Sequence, residues 1–139
     1  MSEHIDCEKL LYARASSTLK IHGILSIIFG GLGTLAAIIL MLILAVGNLS
    51  DQSYSADGSI LGLFFVGLLT FIFWGLPHAY LIVSGLYLIK KPAPKVAKTL
   101  IIINLVIGVF WNLVLLIFAI INLTEISDYE HGYHVQKNS

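Results

Sequence analysis

Lys90–Lys98 reads KKPAPKVAK, and it separates two long stretches that carry no charge. Before it lies Gly58–Ile89, 32 residues, and after it Thr99–Thr124, 26 residues. A third charge-free run, Ile21–Ser50, 30 residues, precedes both. Each exceeds the roughly 20 apolar residues that carry a helix across a bilayer. All 8 basic and 8 acidic side chains of the 139-residue chain fall outside these runs. The chain is 58% hydrophobic and 12% charged, with mean hydropathy +0.91. Soluble domains hold about 25% charged residues. A soluble enzyme, a nucleic-acid binder and a disordered tail are excluded on that basis.

The fold class expected is an all-α integral membrane protein. Backbone N–H and C=O groups in lipid must bond within their own segment, which makes each run a helix. Three transmembrane helices over 21–46, 60–89 and 99–123 would form a small antiparallel bundle. They follow a cytoplasmic N-terminal segment, 1–20, which mixes charged and apolar residues and suits an interfacial helix. They precede a C-terminal tail, 124–139. The second helix is long for a core of about 30 Å, at about 45 Å for thirty residues. It contains Pro77, which has no N–H for the carbonyl of Phe73, so a kink is expected there.

Lysine and arginine set the direction. Lys9, Arg14 and Lys20 precede the first run, and Lys90, Lys91, Lys95 and Lys98 lie between the second and third. The first loop has none and holds Asp51 and Asp57; the tail has only Lys137. The positive-inside rule then puts the N-terminus in the cytoplasm and, with three spans, the C-terminus outside. Localisation is expected in the cell membrane. Pro92 and Pro94 make the second loop a short stiff turn, so its flanking helices form a hairpin.

Helices in lipid associate through small residues and polar contacts. The first run carries Gly23, Ser26, Gly30, Gly33 and Ala37, at spacings of 3, 4, 3 and 4. That stripe suits packing within the chain or a seam between copies. The third run carries Asn104, Gly108 and Asn112 on one face, with Ala119 and Asn122 beyond. A hairpin pivoting at Pro94 sets Ser84 opposite Asn104, and it brings His78, Asn112 and Gly30 to one depth. His78, Asn112, Asn104 and Ser84 are therefore the polar midplane, either structural or able to hold an ion or ligand. His22 marks the inner boundary and reads as an interfacial side chain.

No catalytic residues are expected: there is no GxSxG, no HExxH and no carboxylate in any run. His131 and His134 in the tail are a weak metal candidate, since three-residue spacing on a helix could pair them. Cys7 is the single cysteine and reads as an inert thiol. Asn48-Leu49-Ser50 and Asn122-Leu123-Thr124 match the glycosylation sequon. No cofactor is called for.

Ile24-Leu25-Ser26-Ile27 resembles the start of the first span in the cytochrome b membrane-anchor subunits of succinate dehydrogenase. That family follows the serine with a His-Arg pair, where this chain has Phe29 and Gly30. Its haem histidine stands beside an arginine, where this chain has the isolated His78. The resemblance is confined to those few residues.

Three functions follow as expectations. The first is a non-enzymatic accessory, assembly or regulatory (immunity-like) subunit docking through small-residue helix faces. The second is an oligomeric channel or transporter with His78 and Asn112 at its polar midplane. The third is a redox or quinone-linked anchor. The partners expected are the lipid bilayer and either further copies of the chain or a larger membrane complex, with no nucleic acid.

Overall fold

The computed structural model describes residues 2–50 and 56–138. Among them every regular element is helical. The helices are α1 (Ser2–Ser50), α2 (Ala56–Thr70), α3 (Leu76–Ile89), α4 (Pro94–Trp111) and α5 (Leu113–Asn138), with a π-helical turn over Phe71–Gly75 joining α2 to α3. Three stretches are long and apolar enough to cross a membrane: Asp6–Gly47, Leu61–Ile89 and Pro94–Trp111. Asp51 and the side chains of Asn48, Ser50 and Asp57 lie outside the described residues.

Before Pro77 the ladder changes pitch. The Leu76 N–H reaches the carbonyl of Phe71, five residues back, which closes the π turn. Pro77 has no N–H of its own to offer to this turn, and its ring would clash with the carbonyl one turn back in a regular α-helix. The widened turn takes up the strain immediately ahead of the proline.

The second departure lies at Asn112. The run 99–123 is not one helix. Asn112 has φ −156 and ψ 102, an extended residue between two helices. Its N–H donates to the Gly108 carbonyl at 3.0 Å and closes α4. Its Oδ1 accepts from the N–H groups of Val114 at 3.0 Å and Leu115 at 3.3 Å, the positions an N-cap serves. One asparagine thus ends α4 and starts α5. Gly108 lets the chain fold back: a Cβ there would sit 2.7 Å from the Leu116 nitrogen.

The chain divides into two compact units, Met1–Ile27 with Val83–Ser139, and Ile28–Ile82. In the first, α5 returns along α4. Its Tyr129 donates to the carbonyl of Pro92 at 2.8 Å and stacks on Tyr12, with centroids 5.7 Å apart. Gly132 permits that approach, since a Cβ would meet Tyr12 at 2.5 Å. The core includes Leu19, Leu88, Ile101 and Ala119 as well as the two tyrosines. Arg14 bonds Glu125 at 3.0 Å, but Arg14 is 76% exposed and the pair adds little stability.

Two expectations for the ends are corrected here. Residues 124–138 of the C-terminal tail are the end of helix α5, held by Tyr129, which is buried against Tyr12 of α1. The tail also lies beside the N-terminal segment and the Lys90–Lys98 turn. A single third span would have placed it at the far end; the reversal at Asn112 brings it back. Residues 2–20 continue directly into α1 rather than forming a separate interfacial helix.

In the second unit, α1 and α2–α3 pack through glycines. A Cβ on Gly30 would sit 2.7 Å from the His78 carbonyl oxygen, and Gly67 lies against Met41. Large apolar side chains on both helices, Leu35, Leu42, Phe64 and Phe73 among them, are exposed.

Candidate functional site

The polar centre of the first unit is built on His22. It is 0% exposed, as are Ser26, Ser84 and Asn104, and Asn122 is nearly so. His22 and Ser26 are one helical turn apart on α1 and share a face. Ser84 comes from α3, Asn104 from α4 and Asn122 from α5. Ser84 Oγ lies 3.1 Å from Asn104 Oδ1. Asn104 Nδ2 lies 3.3 Å from His22 Nε2 and 3.4 Å from Ser26 Oγ. Asn122 Nδ2 lies 3.0 Å from His22 Nδ1 and donates to the Phe118 carbonyl at 2.8 Å.

Hydrogen-bond balance fixes the roles. A neutral imidazole has one donor and one acceptor nitrogen. Two amide NH2 groups cannot both donate to it. Asn122 must keep its NH2 toward Phe118, so it donates to Nδ1. Nε2 then carries the proton and requires an acceptor. The two ends of an amide have the same shape, and the network decides which is which. With its oxygen toward His22, Asn104 accepts from Nε2–H and from the Ser26 hydroxyl, and its NH2 donates to Ser84. Every ring nitrogen and amide then has a complementary partner, as buried polar groups require.

Close backbone approach places these groups. A Cβ on Gly23 would sit 2.8 Å from the Gly85 carbonyl oxygen, and one on Gly85 would sit 2.5 Å from that of Gly23. The glycine pair brings α1 against α3, with Ser26 one turn on from Gly23 and Ser84 adjoining Gly85. Gly23, Ser26, Gly30 and Gly33 all face other parts of the same chain, and Ala37 is buried.

His78 belongs to the second unit. It is 8% exposed. Its Nδ1 is 2.7 Å from the carbonyl oxygen of Trp74, so Nδ1 is the donor. The two rings stack at 5.5 Å, and the Trp74 Nε1–H donates to the Gly33 carbonyl at 3.2 Å. The imidazole lies directly on Gly33, where a Cβ would overlap its ring. His78 is thus held by its own helix and by a glycine.

Of the residues read as a polar midplane, Ser84 and Asn104 meet. Asn112 serves as the cap between α4 and α5, and Gly108 as its clearance. His131 pairs with Glu8 at 3.4 Å, and His134 lies edge-on to Tyr133. Among the described residues no three His, Cys, Asp or Glu side chains stand close enough to hold a metal ion. His22, read as interfacial, is instead the hub. Its relation to Ser26, four residues on and next to the start of the glycine stripe, was the available signal.

No protein-family model, curated protein or solved structure matches this chain.

Proposed function

We propose that the protein is a non-enzymatic integral membrane protein of the cell membrane, acting as an accessory or regulatory subunit of a larger membrane complex. The observation that supports this reading is where its polar groups are engaged. His22, Asn104 and Asn122 bond one another; His78 bonds Trp74; Asn112 caps a helix. The small-residue stripe is occupied within the chain. What faces outward is apolar: Leu35, Leu42, Phe64 and Phe73 of the second unit are open to lipid or to a partner's helices.

In this reading α1 and α2–α3 cross the bilayer. Pro94–Trp111 reaches spanning length only by counting the turns that carry Lys95 and Lys98; the charge-free arms of the α4–α5 hairpin, Thr99–Trp111 and Leu113–Thr124, are about 20 Å and about 18 Å long, short of a core of about 30 Å. The hairpin enters and returns, and Asn112 itself supplies the partners its turn needs, its N–H bonding Gly108 and its Oδ1 taking the N–H groups of Val114 and Leu115, while Phe110 and Leu113 face outward. All 8 basic residues then lie on one side, which the positive-inside rule assigns to the cytoplasm.

The test is native mass measurement of protein cross-linked in membranes and then extracted in mild detergent. One copy with a larger partner is the expected result. A homo-oligomer whose pH-dependent flux in liposomes is lost in His78→Ala would overturn it in favour of a channel. A haem absorption band would overturn it in favour of a redox anchor.

A further inference from the structure

At the end of the first unit, between the starts of α1 and the end of α5, lies an open groove of about 620 Å³. Glu8, Lys9, Tyr12 and Ser16 of α1, Lys91 of the turn before α4, and His131 of α5 line it. Glu8 lies beside His131 at 3.4 Å. Among the described residues no carboxylate pairs with Lys9 or Lys91. Two cations from different elements therefore face one small-molecule-sized hollow, and the carboxylate that lines it with them, Glu8, is engaged with His131.

The backbone of Lys91 adds a second observation. Its φ is 52, in the left-handed region that glycine occupies at little cost and lysine does not. The geometry is that of a helix C-terminal cap, with the Lys91 N–H reaching the Leu88 carbonyl at 3.2 Å. Glycine is the usual residue at such a place. Lysine here carries its ammonium over the Tyr12 ring, 5.9 Å from the centroid, at the groove. A strained non-glycine residue that aims a charge into a cavity points to a ligand of opposite charge.

We infer that this groove binds a phosphate group, held between the Lys9 and Lys91 ammonium groups, with the Tyr12 ring steadying Lys91. Lysine serves phosphate as a point charge, and its long stem adapts to the ligand. Two sources share this chemistry: the headgroup of an anionic phospholipid at the same surface, and a soluble phosphate compound. The inference is independent of the subunit reading, since it concerns only the chain's own groove.

The experiment uses purified full-length protein in detergent, with retained adducts counted by native mass spectrometry. Phosphatidylglycerol is offered against phosphatidylcholine. The anionic lipid should be retained in preference. Each of Lys9→Ala and Lys91→Gly should lower its occupancy about five-fold, and the pair about thirty-fold, as expected for one basic charge apiece near an anionic surface. Lys91→Gly fits the same backbone, and unchanged circular dichroism and thermal melting separate lost binding from lost folding. Displacement of the lipid by excess inorganic phosphate would support the phosphate site and assign it to a soluble compound. Equal retention of both lipids, or full retention by the double variant, would overturn the inference.

Discussion

Asn104→Ala isolates the hub of the polar core. Asn104 contacts Ser84 at 3.1 Å, His22 at 3.3 Å and Ser26 at 3.4 Å, and all four residues are 0% exposed. Interhelical polar contacts in membrane proteins average about 0.6 kcal/mol each, so three give about 2 kcal/mol. The two serines can turn their hydroxyls to carbonyls one turn back on their own helices. The His22 Nε2–H has no such recourse, and leaving it unsatisfied adds about 1 kcal/mol. The expected loss is about 3 kcal/mol. Asn122→Ala loses one contact to His22 and one bond to its own helix, so about 1 kcal/mol is expected. The assay is reversible unfolding in mixed micelles under increasing denaturing detergent, followed by circular dichroism. A His22→Ala and Asn104→Ala cycle should show coupling of about 0.6–1.7 kcal/mol. A loss under 1 kcal/mol for Asn104→Ala, or a loss at Asn122 equal to it, would refute the assignment of Asn104 as the hub.

Gly33→Ala should destabilise by about 1–3 kcal/mol through overlap with the His78 ring, and His78→Ala in the same chain should recover most of that in a thermal melt. Asn112→Ala should cost about 1 kcal/mol as a lost cap and loosen the turn between α4 and α5, read as faster amide exchange over 113–116. Tyr129→Phe should cost about 1 kcal/mol through the lost bond to Pro92. Burial, with Tyr12 and Tyr133 adding, pushes the Tyr129 hydroxyl above its usual range. Its contribution is therefore full below about pH 10, the unfolded value, and is lost as pH rises through the folded value. Melting temperature should fall with alkaline pH in the parent and fall less steeply in Tyr129→Phe.

Particular residues show what the sequence carries and where it stops. The three charge-free runs mark the apolar helices because lipid tolerates few charges. The stiff KKPAPK turn places Ser84 and Asn104 at one level, and the structure has them in contact. The glycine stripe on α1 marks the faces where backbones touch. The break at Asn112 has no such mark. Neither glycine nor proline stands at the turn, and the apolar residues on both sides are those of an unbroken span. Only the fit of Asn112 Oδ1 to two free N–H groups, and the space over Gly108, reveal it. His22 reads as interfacial because Lys20 stands two residues before it, and a histidine so close to a lysine suits a membrane boundary. It is buried because α5 returns to cover it, a consequence of the unmarked turn. The helical end of α5 was hidden for the same reason: residues such as Tyr129 form a helix there by packing on Tyr12, not by local preference.

The hydrogen bond between His22 and Asn122 joins residues 100 apart in sequence. During synthesis His22 is made first, Asn104 follows, and Asn122 comes after both. Until then the imidazole has one amide partner where it needs two. A chain cut off before Asn122 would thus carry an incompletely matched imidazole among its apolar helices. The polar core is therefore complete only once α5 has packed, although its first member lies 100 residues earlier in the chain.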